Sequence, residues 1–170
     1  MNRRITLALG TMAMLCLGVA LPGAGVAQTA NDIVGNWALV SADTVNPGSR
    51  VPTFGDNPKG ILIFSSDGRF IYLFSRSDLP KFASNSRATG TPEENKAVVQ
   101  GSIATFGTYS VTDKTLSLKV ENSTFPNWLG TDQKRTIMIT GDELKWTNPA
   151  GSAGGVAELV FRRAAARSTN

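Results

Sequence analysis

The sequence predicts an all-β fold, an eight-stranded antiparallel meander barrel with one short helix inserted between strands 3 and 4. From residue 33 onward, short segments rich in Val, Ile, Leu, Phe and Thr are separated by Gly, Asp, Asn and Pro, which is typical of antiparallel strands and their turns. Most connections are tight, and eight meandering strands close into a barrel without exposed edges. A two-sheet sandwich is the alternative, but it needs long crossovers, and the long segments are 44–59, 75–102 and 122–133.

The amino terminus has the features of a secretory signal peptide. Two arginines precede an apolar run, and Gly25 and Ala27 fit the small residues that signal peptidase reads, so we expect cleavage before Gln28. The alternative, a membrane anchor, needs about 20 apolar residues, and this run is shorter. The expected location is therefore the periplasm or the extracellular space. The predicted segments are a signal peptide at 1–27, a barrel at 28–163 and a flexible tail at 164–170.

Composition excludes several classes of function. The 170 residues include no His, which removes the Ser-His-Asp and Cys-His pairs of hydrolases and any His-ligated metal site. Loss of the signal peptide would remove two Arg and the single Cys, so the net charge would fall from +4 to +2. We therefore expect no cofactor, no metal, no disulfide and no nucleic-acid partner.

Eight strands follow from the alternation of apolar residues and from the turns between them. The hairpin at Asp67-Gly68 is the best defined, because this dipeptide accepts the positive φ of a type I′ turn. The fifth strand alternates cleanly, with Leu116, Leu118 and Val120 on one face. The predicted strands span 33–42, 60–65, 69–74, 106–112, 115–121, 135–140, 143–147 and 156–162 or 163.

A short helix is predicted inside the long segment 75–102. Thr91 is a suitable N-cap, Pro92 suits the first helical position, and Glu93 and Glu94 face the positive end of the helix dipole. The helix should end near Gly101. It would act either as a plug over the barrel mouth or as a lid over a ligand cavity.

The first strand carries the most informative motif, Gly35-Asn36-Trp37. Together with four later pieces in the same order, it resembles the lipocalin-like domain family of the calycin superfamily, which contains small secreted proteins of bacteria and fungi. The resemblance covers residues 33 to 163. The matching pieces are 35–41 (GNWALVS), 58–62 (PKGIL), 67–70 (DGRF), 106–109 (FGTY) and 161–163 (FRR).

The resemblance implies a barrel that is closed at one end, where Trp37 packs under an Arg of the last strand. If Glu158 faces water, Arg163 lies on the inner face of that strand and is the better candidate. A bulge would instead select Arg162. We expect this Trp-Arg pair to close the barrel rather than to bind a ligand.

Candidate ligand contacts follow from which side chains can face inward. One face of the third strand carries three aromatic residues, but the other face is also apolar, so the direction is ambiguous. A tyrosine would supply a hydroxyl to an apolar pocket. Arg135 would be a buried cation for an anionic head group, although exposure at the strand end is the favoured alternative. The candidates are Phe70, Tyr72, Phe74, Tyr109, Arg135 and Trp146, the last also expected in the core.

These observations favour an exported barrel that binds a small apolar or amphipathic molecule without catalysis. One alternative is a barrel enzyme of isomerase, cyclase or hydratase type, which would use a tyrosine, Arg135 or an inward carboxylate. Another is a solid barrel that binds a protein through aromatic loops at its mouth, where Phe54, Phe82, Phe125 and Trp128 are placed. The oligomeric state does not follow from the sequence.

Overall fold

A computed structural model describes residues 29–165. Within that range the chain forms two α-helices, nine strands and one 3₁₀ turn, and no helix there is long and apolar enough to cross a membrane. The elements in chain order are α1 (Ala30–Ile33), β1 (Gly35–Asn46), β2 (Ser49–Pro52), β3 (Lys59–Phe64), β4 (Arg69–Ser75), α2 (Pro92–Gly101), β5 (Ser102–Thr112), β6 (Thr115–Ser123), the 3₁₀ turn Pro126–Trp128, β7 (Asp132–Thr140), β8 (Glu143–Asn148) and β9 (Val156–Arg163).

Eight of the strands form a closed antiparallel barrel, as the sequence predicts. The sheet runs from β1 through β3 to β9 in chain order, and β9 pairs back with β1. Ladder closure satisfies the backbone groups that an open edge would expose. β2 is an addition, because it pairs only with the far end of β1, from Asp43 to Asn46.

The predicted place of the helix, between strands 3 and 4, is wrong by count, because α2 lies between β4 and β5. The difference arises from β2, which lies in the segment predicted as a loop and shifts the strand numbers. All four residues of β2 are exposed and one is Pro52, so no alternation marks it as a strand. The helix itself spans Pro92–Gly101, which confirms the predicted bounds.

The first barrel hairpin forms where the sequence places it, but its turn is not of type I′. Gly68 has a φ of 84°, whereas Asp67 keeps a negative φ. The Gly68 amide donates to the Ser65 carbonyl oxygen at 3.1 Å, which closes a type I turn that is followed by a left-handed glycine. Asp67 also contributes a carboxylate that accepts from the Arg69 amide at 3.2 Å, so the turn is fixed from both sides.

The two ends of the barrel differ in what covers them. The end near α1 and the turn at 65–68 is filled by buried side chains of β1, β3 and β9, and we call it the closed end. The opposite end, which we call the open end, carries α2 and the loops at 53–58, 76–91, 124–131 and 149–155. On β4 the pattern resolves the ambiguous direction, because its three aromatic residues are buried while Ile71 and Leu73 are exposed.

Helix α2 is anchored at its amino end over the open end. The Thr91 hydroxyl accepts from the Glu94 amide at 3.2 Å, and the Glu94 carboxylate accepts from the Thr91 amide at 2.8 Å, which is a capping box. The second oxygen of Glu94 accepts from the Ala83 amide at 2.8 Å, so the carboxylate also ties the preceding loop to the helix. These backbone hydrogen bonds lower the pKa of Glu94.

Candidate functional site

The barrel interior contains a small cavity toward the open end, which we call the inner chamber. Its volume is about 40 Å³, enough for a few water molecules or for the polar head of a ligand. Strands β1, β4, β5, β7, β8 and β9 all contribute to its walls. The side chains that determine its character are Thr44, Phe54, Tyr72, Arg135, Trp146 and Asn148.

One wall of the inner chamber is aromatic. Tyr72 stacks on Phe74 with ring centroids 4.5 Å apart and planes 5° from parallel. Trp146 meets Tyr72 edge to face at 5.7 Å and Phe161 at 5.3 Å. Alternation on β4 and β8 aims these rings inward, and each contact adds to the stability of a wall that is already buried. The wall is therefore rigid and apolar.

The other wall carries a buried cation, Arg135. Only 3% of this residue is exposed, so the sequence-based preference for exposure is wrong. The physical reason is strand length, because β7 begins at Asp132 and places Arg135 in its fourth position, paired with Leu116. Alternation then turns the guanidinium inward together with Ile137.

The guanidinium of Arg135 has only neutral partners. One terminal nitrogen donates to the Lys134 carbonyl oxygen at 3.1 Å, and the other donates to the side-chain oxygen of Gln133. The Gln133 amide nitrogen donates to the Thr131 hydroxyl at 2.9 Å, which turns its oxygen toward the arginine. The guanidinium carbon also lies 5.7 Å from the ring centre of Trp128 and 5.9 Å from that of Trp146.

Two donors at the inner chamber are buried without an acceptor in the part of the chain that the structure describes. They are Nε of Arg135 and Nε1 of Trp146. Buried donors normally have a partner, because loss of hydration is expensive. Burial also lowers the pKa of Arg135 to about 10, so the side chain stays cationic at neutral pH. Burial raises the pKa of Tyr72 to about 12, against the effect of the Thr105 hydroxyl, so this phenol stays protonated.

A second, larger cavity adjoins the inner chamber on its solvent side, and we call it the outer chamber. Its volume is about 460 Å³, and it lies between the last turn of α2 and the loops of the open end. Phe54 and Ile103 line both chambers and so form the boundary between them. Val99 of α2 and Phe125 add apolar surface on the outer side.

Comparison with known proteins identifies the family. The family model described as "lipocalin-like domain" matches residues 34–164. This chain belongs to the lipocalin-like domain family. Among curated proteins, a 4'-hydroxy-3'-methoxypropiophenone carrier protein of Aspergillus oryzae is 30% identical over 89 residues, which cover 46% of this chain and 80% of the relative.

Two solved structures are similar to this lipocalin-like domain. A lipocalin-like protein from Bacteroides uniformis has 16% sequence identity and a TM-score of 0.45, over 78% of this chain and 99% of that protein. A variant of the fluorescent protein UnaG has 13% identity and a TM-score of 0.38, over 80% of this chain and 99% of the other.

The closed end of this lipocalin-like domain contains the other Trp-Arg pair. The guanidinium of Arg163 lies 4.1 Å from the ring centre of Trp37 and donates to the carbonyl oxygens of Val34 at 2.8 Å and Asp32 at 2.9 Å. The indole of Trp37 donates to the Ile33 carbonyl oxygen at 2.8 Å. This pair holds α1 against the closed end of the barrel. Arg163 rather than Arg162 lies over the Trp37 ring.

Gly35 lies at the closed end beside this pair. It has a φ of 129°, and a Cβ atom added there would lie 3.0 Å from the Arg163 guanidinium. The Gly-x-Trp motif therefore has a steric basis at both of its fixed positions. Glycine permits the backbone turn and the approach of the arginine, and Trp37 provides the surface on which that arginine rests.

Four of the six sequence-predicted ligand contacts meet at the inner chamber, and two do not. Tyr72, Phe74, Arg135 and Trp146 line it. Phe70 lies one step nearer the closed end, stacked on Tyr72 at 6.1 Å. Tyr109 lies lower still, where its hydroxyl donates to the Ser65 carbonyl oxygen at 3.0 Å and its ring meets Phe64 at 4.8 Å.

Several polar and aromatic residues of the site were not singled out from the sequence as ligand contacts. Asn148 and Thr44 line the inner chamber. Alternation on β8 predicts the direction of Asn148, whereas Thr44 follows an irregularity between Leu39 and Ser41 that reverses the alternation on β1. Two of the loop aromatics placed at the mouth turn inward instead. Phe54 is buried and Trp128 lines the inner chamber, whereas Phe82 packs over Gly90 and lines neither chamber.

The described linings of the two chambers present aromatic surface and hydrogen-bond donors. None of the described residues that line them is Asp or Glu, and residues 29–165 contain no group of three or more metal-ligating side chains. General acid or base chemistry at neutral pH needs a group that exchanges protons in that range. Arg135 and Tyr72 both hold their protons there.

Proposed function

We propose that this protein binds a small apolar or amphipathic molecule in the two chambers and carries it without chemical change. The observation that carries the proposal is the pair of adjoining chambers, a small aromatic inner chamber and a larger outer chamber, which share Phe54 and Ile103 in their linings. The relative that is named a carrier of an aryl ketone supports the same class of function. The body of such a molecule would pack against Phe54, Ile103 and Phe125 in the outer chamber.

The alternatives lack a comparable observation. An enzyme would need an inward carboxylate beside a tyrosine or arginine, and the described lining of both chambers contains none. A protein-binding surface built on an exposed aromatic rim would need Phe54 and Trp128 to face solvent, whereas one is buried and the other packs against Arg135.

Two variants test ligand binding in the barrel. Ala42 is buried in the lining of the inner chamber, and Ala38 lies on the exposed outer face of the same strand. We expect Ala42→Leu to weaken binding of 4'-hydroxy-3'-methoxypropiophenone and of simple aryl ketones by about tenfold or more, because the added side chain occupies the cavity. The matched variant Ala38→Leu should bind as the unmodified protein does. Isothermal titration calorimetry measures both, and circular dichroism checks the fold.

Native mass spectrometry of protein purified from its own host provides an independent test. A retained small molecule that disappears in Ala42→Leu and persists in Ala38→Leu is the expected result. Repeated absence of any retained molecule, together with unchanged tryptophan fluorescence across a panel of lipophilic compounds, would contradict the proposal.

We also propose export of the mature protein. The basic and apolar segment at 1–27 supports it, and this segment lies outside the described residues. Amino-terminal sequencing of the protein from the host periplasm or medium should begin at Gln28. A protein that keeps its first residues and stays in the cytoplasm would contradict export without affecting the binding proposal.

A further inference from the structure

The buried arginine of the inner chamber lacks a counter-ion. Across residues 29–165, the six ion pairs all lie at the surface, and none includes Arg135. Its two hydrogen-bonded partners, Lys134 and Gln133, contribute neutral oxygens. Removal of a charge from water without a paired charge is strongly unfavourable. A structural role would be served better by an apolar residue at this position.

Aromatic rings hold the cation in place without neutralising it. Trp128 and Trp146 both lie within 6 Å of the guanidinium carbon, which is the range of a cation–π contact. Hydrogen bonds that link Arg135 to Gln133 and Gln133 to Thr131 fix the orientation of the guanidinium from the side of the open-end loop. The guanidinium is therefore preorganised, and its Nε–H remains free of any acceptor in the described chain.

A second free donor belongs to the same chamber. Nε1 of Trp146 is buried and has no acceptor among residues 29–165, and the Tyr72 phenol and the Asn148 amide line the same space. Indole and guanidinium N–H groups only donate, so each needs an oxygen or another acceptor opposite it. The chamber volume of about 40 Å³ fits a small polar group but not the body of an organic molecule.

We propose that the inner chamber binds the anionic head of the ligand, a carboxylate whose oxygens accept from Nε of Arg135 and Nε1 of Trp146. This inference rests on the proposed function and narrows the ligand to an amphipathic organic acid. The apolar body of the acid lies in the outer chamber, against Phe54, Ile103 and Phe125. The pairing is charge-assisted, so the acid is strongly favoured over a neutral analogue of the same size.

The test compares matched acids and alcohols. Decanoate and 1-decanol form an aliphatic pair, and 4-phenylbutanoate and 4-phenyl-1-butanol form an aromatic pair. For at least one pair we expect the unmodified protein at pH 7 to bind the acid about 30-fold more tightly than the alcohol in calorimetric titrations. Which pair binds better shows whether the outer chamber favours aliphatic or aromatic bodies.

Substitutions at the two donors localise the preference. Arg135→Met should reduce the acid-to-alcohol ratio to within about threefold while alcohol binding is retained. Trp146→Phe retains an aromatic side chain but removes the N–H. It should lower the acid-to-alcohol ratio by about three- to tenfold. The matched control is Arg162→Met, because Arg162 is exposed on the outer face of β9, and its ratio should be unchanged.

A measurement on the unmodified protein covers the case in which a variant does not fold. In a ¹H–¹⁵N correlation spectrum, the indole N–H of Trp146 should move downfield when the acid is added and move much less with the alcohol, because only the acid brings a charged acceptor.

Two negative outcomes separate the claims. Equal binding of acid and alcohol, unaffected by Arg135→Met, would overturn the anion assignment and leave the proposed function intact. Failure of both the acids and the alcohols, along with the aryl ketones, to bind at all would overturn the proposed function and this inference with it.

Discussion

An arginine packs against tryptophan at the closed end and another does so at the inner chamber, and their hydrogen bonding differs. At the closed end, Arg163 lies 4.1 Å from the Trp37 ring, and both side chains donate to backbone carbonyl oxygens. At the inner chamber, Arg135 lies 5.9 Å from the Trp146 ring, and each residue has one buried donor without an acceptor in the described chain. The same residue types thus serve two purposes.

The two pairs differ in whether the folded chain satisfies all of their buried donors. The closed-end pair is satisfied by the chain itself, so it stabilises the folded state whether or not a ligand is present. The inner pair is unsatisfied in the protein alone, so it destabilises the free protein and is compensated when an acceptor arrives. We therefore expect mutations at the two ends to have opposite effects on stability.

The largest expected effect is a difference of sign between two arginine variants. Arg163→Met should lower the free energy of unfolding by about 1–3 kcal/mol, because two hydrogen bonds and the stacking on Trp37 are lost. Arg135→Met should raise it by about 1–2 kcal/mol, because an apolar side chain replaces an uncompensated buried charge. Urea unfolding of the ligand-free proteins measures both values. A loss of stability in both variants would contradict the distinction.

The two tryptophans provide a second and smaller contrast. Trp37→Phe should lower the free energy of unfolding by about 2 kcal/mol, because it leaves the Ile33 carbonyl oxygen without its donor and opens a small cavity. Trp146→Phe removes the same buried volume but should cost about 1 kcal/mol less, because the lost N–H has no partner to leave behind. Equal losses in the two variants would show that the Trp146 indole is as well satisfied as that of Trp37.

The pH dependence of stability sharpens the contrast further. The folded pKa of Arg135 is about 10, below its ordinary value of 12.5, so above pH 10 the unfolded chain holds more protons at this site than the folded one. Stability then rises with pH relative to a variant without the group, so the penalty is present below pH 10 and is relieved above it.

The advantage of Arg135→Met over the unmodified protein should shrink by about 1 kcal/mol between pH 9 and pH 11. Tyr72 opposes this trend in both proteins, because its pKa is raised to about 12, and the comparison between the two proteins largely removes its effect. Urea unfolding at pH 9, 10 and 11 gives the result, and a constant advantage would mean that folded Arg135 keeps its proton throughout this range, so that burial does not lower its pKa to about 10.

Local signals predicted most of the fold. The eight barrel strands, the hairpin around Gly68 and the helix Pro92–Gly101 all follow from alternation and from turn and capping residues. Alternation and turn residues did not predict two features of the sheet correctly, β2 and the start of β7. β2 is short and exposed on every residue, and the predicted strand start at Arg135 lies three residues inside the real β7.

The site was only partly predictable for the same reason. Inward direction on β4 could not be assigned from two apolar faces, although the aromatic face is the buried one. The error at Arg135 came from treating a charged residue at the end of an apolar run as exposed. Its burial depends on five neighbouring strands that close around it, and such long-range packing is not contained in the periodicity of one segment.

The central claim, that the free donors of the inner chamber serve an anionic ligand, is tested most directly by a crystal structure of the decanoate or 4-phenylbutanoate complex. The account predicts carboxylate oxygens within about 3.2 Å of Nε of Arg135 and Nε1 of Trp146, with the apolar body in the outer chamber. A carboxylate that points to solvent, with the apolar body in the inner chamber against an unchanged Arg135, would contradict it.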